Sequence, residues 1–189
     1  MKKNALIWGT AIILIFIAAV VTSKNISSNK YSQSSSASPL EKTSISLIDS
    51  GSRQKAADFT LTDLAGNSVS LKKLRGKNVY INFWATWCPW CKKELPDLEK
   101  VAQEFKNENL IVFAVDVGED KTVVSNYMRE NHYGFNVLLD TDKNMAQQYS
   151  VTSIPVSVFI DKDGNIAQRN VGVMSESQMK TIINKLLGK

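Results

Sequence analysis

The sequence predicts an α/β fold in which a central mixed sheet is flanked by helices. From residue 57 onward, short apolar runs alternate with stretches of helical periodicity, which is typical of parallel strands joined by helices. At both ends of this region, two strand-like runs flank a cluster of turn residues, which indicates antiparallel hairpins. We therefore expect one globular domain over residues 57–189.

Each element follows from its local pattern. Apolar runs at 59–61 and 68–71 flank the turn residues 63–67 and predict an N-terminal hairpin. The turn residues 161–165 predict a second hairpin near the C-terminus. The remaining expected elements are strands at 79–83, 110–116, 135–139, 156–160 and 166–171, and helices at 89–107, 120–131, 143–149 and 175–187.

The only two cysteines of the chain stand two residues apart in Trp87-Cys88-Pro89-Trp90-Cys91, between a predicted strand and a predicted helix. A disulfide closing so short a loop constrains the unfolded chain very little, which disfavours a structural staple. A structural zinc site needs four ligands, more than two cysteines and one histidine supply. The motif therefore predicts a redox-active disulfide that exchanges with other disulfides, with no metal and no further cofactor.

The two cysteines are expected to have different roles. A thiolate attacks a disulfide, and a helix N-terminus lowers the pKa of a thiol because its unpaired N–H groups and dipole stabilise a negative sulfur. Cys88, at the start of the predicted helix, is the expected nucleophile. Cys91, one turn further in, is the expected resolving thiol, which attacks the mixed disulfide and releases the product.

Neighbouring residues are candidates for shaping the site. Pro89 suits the first helical turn, where its missing N–H removes no bond, and it is also a candidate for tuning the redox potential. Trp90 is expected to be partly exposed and to contact extended substrates, with packing on a neighbouring loop as the alternative. Trp84 and Trp87 are expected to pack around the site.

The N-terminal region has the composition of a membrane anchor followed by a tether. Ala5–Thr22 is uncharged, apolar and eighteen residues long, enough to span a bilayer, so we expect a signal anchor over residues 1–23. Processing after Ser23 stays open as an alternative. Residues 24–56 are rich in serine and lack any period, which predicts a flexible tether. Because disulfides persist outside the cytoplasm, we expect the globular domain on the extracytoplasmic side of the membrane.

The positive charge of the chain lies outside the predicted domain. Residues 1–56 contain seven Lys and Arg against two Asp and Glu, whereas residues 57–189 contain sixteen of each sign. The basic segment favours an anionic membrane surface. A neutral domain lacks the basic footprint of nucleic-acid binding, so nucleic acid is not an expected partner.

The chain resembles the thioredoxin superfamily, and in particular its TlpA/ResA-like branch, in the run Phe83-Trp84-Ala85-Thr86-Trp87-Cys88, in Cys91, and in Ser153-Ile154-Pro155 at the head of a later strand. The resemblance covers roughly residues 57–189. It implies a thioredoxin-like fold with an N-terminal β-hairpin and a central αβ insertion around residues 120–139. It also implies a membrane-tethered bacterial thiol-disulfide oxidoreductase.

The resemblance further implies roles for three residues. Pro155 is expected to be cis and to pack against the active-site disulfide, and the backbone at Ile154 is expected to pair with bound substrate. Thioredoxin has a buried aspartate where this chain has Asn82, and the TlpA/ResA-like branch carries a glutamate at the position of Glu94. Glu94 is thus the third catalytic candidate, adjusting the pKa values of the cysteines; the alternative is a solvated helix carboxylate.

Several functions remain open from the sequence. Many relatives are reductases of cytochrome c maturation or thiol repair that take electrons from a transmembrane thiol carrier, and we slightly favour that direction. Pro89 directly after Cys88 is instead similar to the strongly oxidising DsbA. A peroxiredoxin-like peroxidase is a third hypothesis. A copper-binding assembly factor using the cysteines and the single histidine, His132, is a fourth.

Overall fold

The computed structural model describes residues 54–189. The expected anchor and the expected tether up to residue 53 lie outside the described residues. Within the described part, no helix is long and apolar enough to cross a membrane. The predicted α/β class is confirmed, because one mixed seven-stranded sheet carries helices against its faces.

The sheet has the order β2-β1-β5-β4-β3-β6-β7. Its strands are β1 Thr60–Asp63, β2 Ser68–Ser70, β3 Asn78–Trp84, β4 Leu110–Val117, β5 Asn136–Asp140, β6 Val156–Ile160 and β7 Ile166–Val171. The helices are α1 Pro89–Glu104, α2 Lys121–Glu130, α3 Asn144–Gln148 and α4 Glu176–Leu187, with a short 3-10 helix at Leu71–Leu74. Strands β3, β4 and β5 pair in parallel, and the other pairs are antiparallel.

The centre of the sheet is buried on both faces. All seven residues of β3 are buried, as expected for a central strand covered on each side. One apolar cluster, around Trp84 and Leu95, lies on the face with the cysteines; a second, around Phe83 and Leu138, fills the other face. Parallel pairing aligns Trp84 with Asp116, so the carboxyl ends of β3 and β4 meet at one edge of the sheet. The cysteine motif begins at that edge.

Two local expectations differ from the structure. Helix α1 ends at Glu104 rather than at residue 107. The N–H of the C-cap residue, Phe105, still donates to the carbonyl of Val101, and a polar segment follows. The second strand of the first hairpin ends at Ser70. Leu71 instead opens the 3-10 helix and is buried in the core, since the chain turns inward there.

Candidate active site

The cysteine motif lies where β3 gives way to α1, as the sequence predicts. Cys88 is the N-cap residue of α1, with extended backbone angles, and Pro89 occupies the first turn. The N–H of Cys88 donates to the carbonyl of Ala85 at 3.2 Å and closes the turn that leads into the helix. The sulfur of Cys88 accepts the N–H of Cys91 at 3.1 Å. A helix N-terminus therefore points its donor groups at this sulfur.

Cys88 and Cys91 form a disulfide, with their Cα atoms 5.3 Å apart. Both residues are buried. The structure thus contains the oxidised form of the pair, which accepts two electrons when a thiol reduces it.

The tryptophans around the motif separate into one buried and two exposed side chains. Trp84 is fully buried and packs against the rings of Tyr127 and Phe135, with ring centroids 5.6 and 6.4 Å away, which confirms its packing role. Trp90 is 59% exposed, as expected. The expectation that Trp87 packs is wrong. Trp87 is 63% exposed because it stands in the turn after β3, where its neighbours Trp84 and Cys88 occupy the inward positions.

The loop before β6 lies close to the sulfur of Cys88. The carbonyl oxygen of Ile154 lies 3.7 Å from the sulfur of Cys88. The peptide bond between Ile154 and Pro155 is cis, as the resemblance implies. Pro155 is buried, and its carbonyl accepts the N–H of Gly172 at 2.9 Å, which ties this loop to the end of β7. The fold therefore brings Ile154 and Cys88 together across 66 residues of sequence.

Glu94 is a buried carboxyl and not a solvated one. Glu94 is only 1% exposed, because the position three residues after Cys91 faces the core. Its Oε1 accepts the N–H of Met174 at 3.2 Å, and within residues 54–189 its Oε2 has no hydrogen-bond partner. Burial raises the pKa of Glu94 from its ordinary 4.5 to about 7, against the opposing effect of the hydrogen bond from Met174.

The ammonium groups of Lys92 and Lys93 lie over aromatic rings. The ammonium of Lys93 lies 4.6 Å from the ring centroid of Trp90, and that of Lys92 lies 5.7 Å from that of Tyr127. These are cation–π distances. The lysines therefore do not neutralise Glu94, and one of them covers a face of the exposed Trp90.

Sequence reasoning missed a buried polar cluster beneath the helix. The hydroxyl oxygens of Tyr80 and Ser157 lie 3.0 Å apart, and the amide of Asn82 donates to Ser157 Oγ at 3.3 Å. Burial, followed by the charge of Glu94, raises the pKa of Tyr80. The available signal was a polar residue inside an otherwise apolar strand, since Asn82 and Ser157 both interrupt such runs.

A second missed group lies at the carboxyl ends of β3 and β4. The side chain of Glu119 accepts the N–H of Thr86 at 2.5 Å and its hydroxyl at 2.6 Å. Asp116 is fully buried beside it, and the N–H of Glu119 donates to Asp116 Oδ1 at 3.0 Å. Desolvation, reinforced by Glu119, raises the pKa of Asp116 to about 8. The signal was again a charged residue, Asp116, in a continuously buried strand.

His132 lies apart from this site. It is exposed after α2 with a positive φ of 56°. In the part of the chain that the structure describes, no three His, Cys, Asp or Glu side chains are grouped to hold a metal ion.

Comparisons with known proteins agree on the type of protein. Residues 52–169 match the AhpC/TSA family. The thiol-disulfide oxidoreductase ResA of Bacillus subtilis is 37% identical over 129 residues, which cover 68% of this chain and 72% of that protein. The ResA of Bacillus cereus is 31% identical over 98% of this chain and 99% of its own length. A crystal structure of a thiol:disulfide interchange protein of the thioredoxin family from Chlorobium tepidum superposes with a TM-score of 0.67, at 28% identity, over 74% of this chain and 99% of that one.

Proposed function

Because the chain belongs to the AhpC/TSA family and within it to the ResA-like thiol-disulfide oxidoreductases, we propose that it exchanges disulfides with protein substrates through Cys88 and Cys91, preferentially as a reductant. The observation that carries the proposal is the position of the Cys88–Cys91 disulfide at the start of α1, where Cys88 sulfur accepts the N–H of Cys91.

In the first step, the thiolate of Cys88 attacks one sulfur of a substrate disulfide. A bond forms between Cys88 and that sulfur, the substrate S–S bond breaks, and the second substrate sulfur leaves as a thiolate that takes up a proton. The N–H of Cys91 and the N-terminus of α1 stabilise the attacking thiolate.

In the second step, Cys91 loses its proton and attacks the sulfur of Cys88 in the mixed disulfide. The Cys88–Cys91 bond closes, and the remaining substrate sulfur leaves as a thiol after protonation. The substrate has then gained two electrons and two protons. A donor thiol pair must reduce the enzyme disulfide before the next cycle, and we propose a transmembrane thiol carrier as this donor.

Glu94 adjusts this chemistry in the proposal. With a pKa raised to about 7, its carboxyl can gain or lose a proton near neutral pH. It lies one turn from Cys91 on the same helical face. An ionised Glu94 raises the pKa of a nearby thiol by like-charge repulsion, and a neutral Glu94 relieves it.

Substrates bind across the motif in an extended conformation. The exposed Trp90 offers an apolar face beside the disulfide. Ile154 lies in the loop just before β6, and its carbonyl lies at the sulfur of Cys88. Main-chain pairing of a substrate strand at Ile154 would hold its disulfide near Cys88. This placement supports protein substrates over small thiols.

The proposed location is the extracytoplasmic side of the cell membrane, with residues 1–23 as a single N-terminal anchor and 24–56 as the tether. The similarity to Bacillus cereus ResA includes the N-terminal segment, since it covers 98% of this chain. The composition of that segment and the need of a disulfide for an oxidising compartment support the same location.

The second candidate is a DsbA-like oxidase, favoured by Pro89 directly after Cys88. The reduction potential of the Cys88–Cys91 pair, measured on the full chain in glutathione and dithiothreitol buffers, tests the direction. A value near that of thioredoxin, about −270 mV, or below supports the reductant, whereas a value near that of DsbA, about −120 mV, supports the oxidase. The two differ by about 7 kcal/mol for two electrons.

A further inference from the structure

Thr86, two residues before Cys88, is held by a single carboxylate. Its backbone N–H donates to Glu119 Oε2 at 2.5 Å, and its hydroxyl donates to Oε1 at 2.6 Å. The distance from the hydroxyl is that of a charge-assisted hydrogen bond to a carboxylate. The side chain of Glu119 therefore accepts hydrogen bonds from both the backbone and the side chain of one residue in the turn that leads to Cys88.

The chain places Glu119 by a turn at the end of β4. Gly118 has a left-handed φ of +91°, which favours glycine, and its N–H donates to the carbonyl of Asp140 at 3.1 Å. The N–H of Glu119 then donates to Asp116 Oδ1. These bonds fix the backbone from which the Glu119 carboxylate extends toward β3.

Asp116 is the more deeply buried member of the acid pair that it forms with Glu119. Asp116 is fully buried, and its Oδ2 has no hydrogen-bond partner among residues 54–189. Burial raises its pKa, and Glu119 acts in the same direction, which favours the protonated form of Asp116. Glu119 is half-buried and receives both donors of Thr86. Two hydrogen-bond donors of Thr86 therefore meet at the carboxylate of Glu119.

We propose that Glu119 is a positioning residue for disulfide exchange, which holds the Ala85–Cys88 turn through Thr86 and so keeps the sulfur of Cys88 at the N-terminus of α1. The turn itself is closed by the bond from the N–H of Cys88 to the carbonyl of Ala85. The sulfur must stay near the N–H of Cys91, now at 3.1 Å, for the helix to stabilise its thiolate. The inference rests on the proposed role of Cys88 as nucleophile.

The test is the rate at which iodoacetamide alkylates Cys88 in the reduced full chain, measured by mass spectrometry from pH 5 to pH 9. Glu119→Gln leaves one acceptor for two donors, and Thr86→Val removes the hydroxyl without changing charge. The matched controls are Asp120→Asn, which loses the same charge at an exposed neighbour without a capping bond, and Thr86→Ser, which keeps the hydroxyl.

We expect Glu119→Gln and Thr86→Val each to slow alkylation at pH 7 by about threefold or more and to move its pH profile upward, because the thiolate loses helix stabilisation. Both controls stay within about twofold of the unmodified chain, and the double variant is no slower than the slower single variant, since both changes break the same contact.

The inference would be overturned if Glu119→Gln and Thr86→Val were alkylated within about twofold of the rate of the unmodified chain and with the same pH profile. This holds even if their melting temperatures were lowered, because the contact would then be structural only. An equal slowing by Asp120→Asn would overturn it as well, since the effect would then not depend on the contact with Thr86. Disulfide exchange by the unmodified chain is measured in parallel. Its absence would reject the proposed function, while the alkylation rates still decide the role of Glu119.

Discussion

Glu94→Gln is expected to change both the stability of the protein and the acidity of its thiols. Burial raises the pKa of Glu94 from 4.5 to about 7 in the folded chain. The folded state therefore binds the proton more tightly than the unfolded state. Stability from this group is fully present below pH 4.5, falls as the pH rises, and is lost above the folded pKa near 7.

The magnitude follows from the two pKa values. Their difference corresponds to about 3 kcal/mol of unfolding free energy between low pH and pH 8, and Glu94 is too buried for solvent to screen much of it. The substituted glutamine side chain would carry no charge at any pH. The stability of Glu94→Gln relative to the unmodified chain should therefore improve by about 3 kcal/mol between pH 4.5 and pH 8.

The assay is urea unfolding of the oxidised chain, followed by fluorescence at several pH values. Glu104→Gln is the matched control, because Glu104 lies on the same helix, is 49% exposed and pairs with Lys180 at the surface. Its effect should stay below about 1 kcal/mol at every pH. A difference between Glu94→Gln and the unmodified chain that does not change with pH would refute the assigned protonation of Glu94.

The reduced chain gives the second readout. Residues three apart on a helix have Cβ atoms about 6 Å apart, and a charge at that distance from a thiol contributes about 2.8 kcal/mol at an effective dielectric constant of about 20, or about 2 in pKa. Ionised Glu94 opposes the thiolate, so Glu94→Gln should lower the pKa of the resolving thiol by up to about that amount. An unchanged thiol titration together with an unchanged exchange rate would remove Glu94 from the mechanism.

Three further predictions concern the cysteines, the exposed aromatic and the buried polar cluster. Cys91→Ser should trap substrate proteins as mixed disulfides on Cys88, visible on non-reducing gels, and Cys88→Ser should trap none. Trp90→Ala should lower kcat/KM for an unfolded protein disulfide by about tenfold and that for a small disulfide by less than about twofold; equal losses would contradict a substrate contact. Ser157→Ala should lower the unfolding free energy by about 1–3 kcal/mol, as it leaves Tyr80 and Asn82 without their shared partner, whereas the exposed Ser153→Ala should cost less than about 0.5 kcal/mol in denaturant unfolding.

The parts of the site that the sequence predicts are local ones. Strand β3, the start of α1 and the cysteine pair are neighbours in the chain, so period, spacing and helix-start preferences are enough to place them. The same preferences do not tell which tryptophan faces inward. Trp84 and Trp87 differ by three residues, yet the first ends a buried strand and the second lies in an exposed turn.

The contacts that the sequence does not predict join distant segments. Glu119 reaches Thr86 across 33 residues, and Met174 reaches Glu94 across 80. Neither pair is marked by a local sequence pattern. The contact of Glu119 with Thr86 depends on the register of β4 beside β3, and that of Met174 with Glu94 depends on the path of the segment before α4. The burial of Glu94 was open from sequence for this reason, and its resemblance to a family position was needed to single it out.

The direction of exchange depends on opposing effects at the sulfurs. The N–H of Cys91 and the start of α1 favour the Cys88 thiolate, which stabilises the reduced pair and makes the disulfide more oxidising. The carbonyl of Ile154, 3.7 Å from the same sulfur, disfavours a negative charge there and can accept a hydrogen bond from the thiol. Ionised Glu94, one turn from Cys91, likewise disfavours a negative sulfur in the reduced pair. If these two groups outweigh the start of α1, the thiol of Cys88 is weakly acidic and the reduced pair is the better electron donor, which is the direction of the proposed reductant.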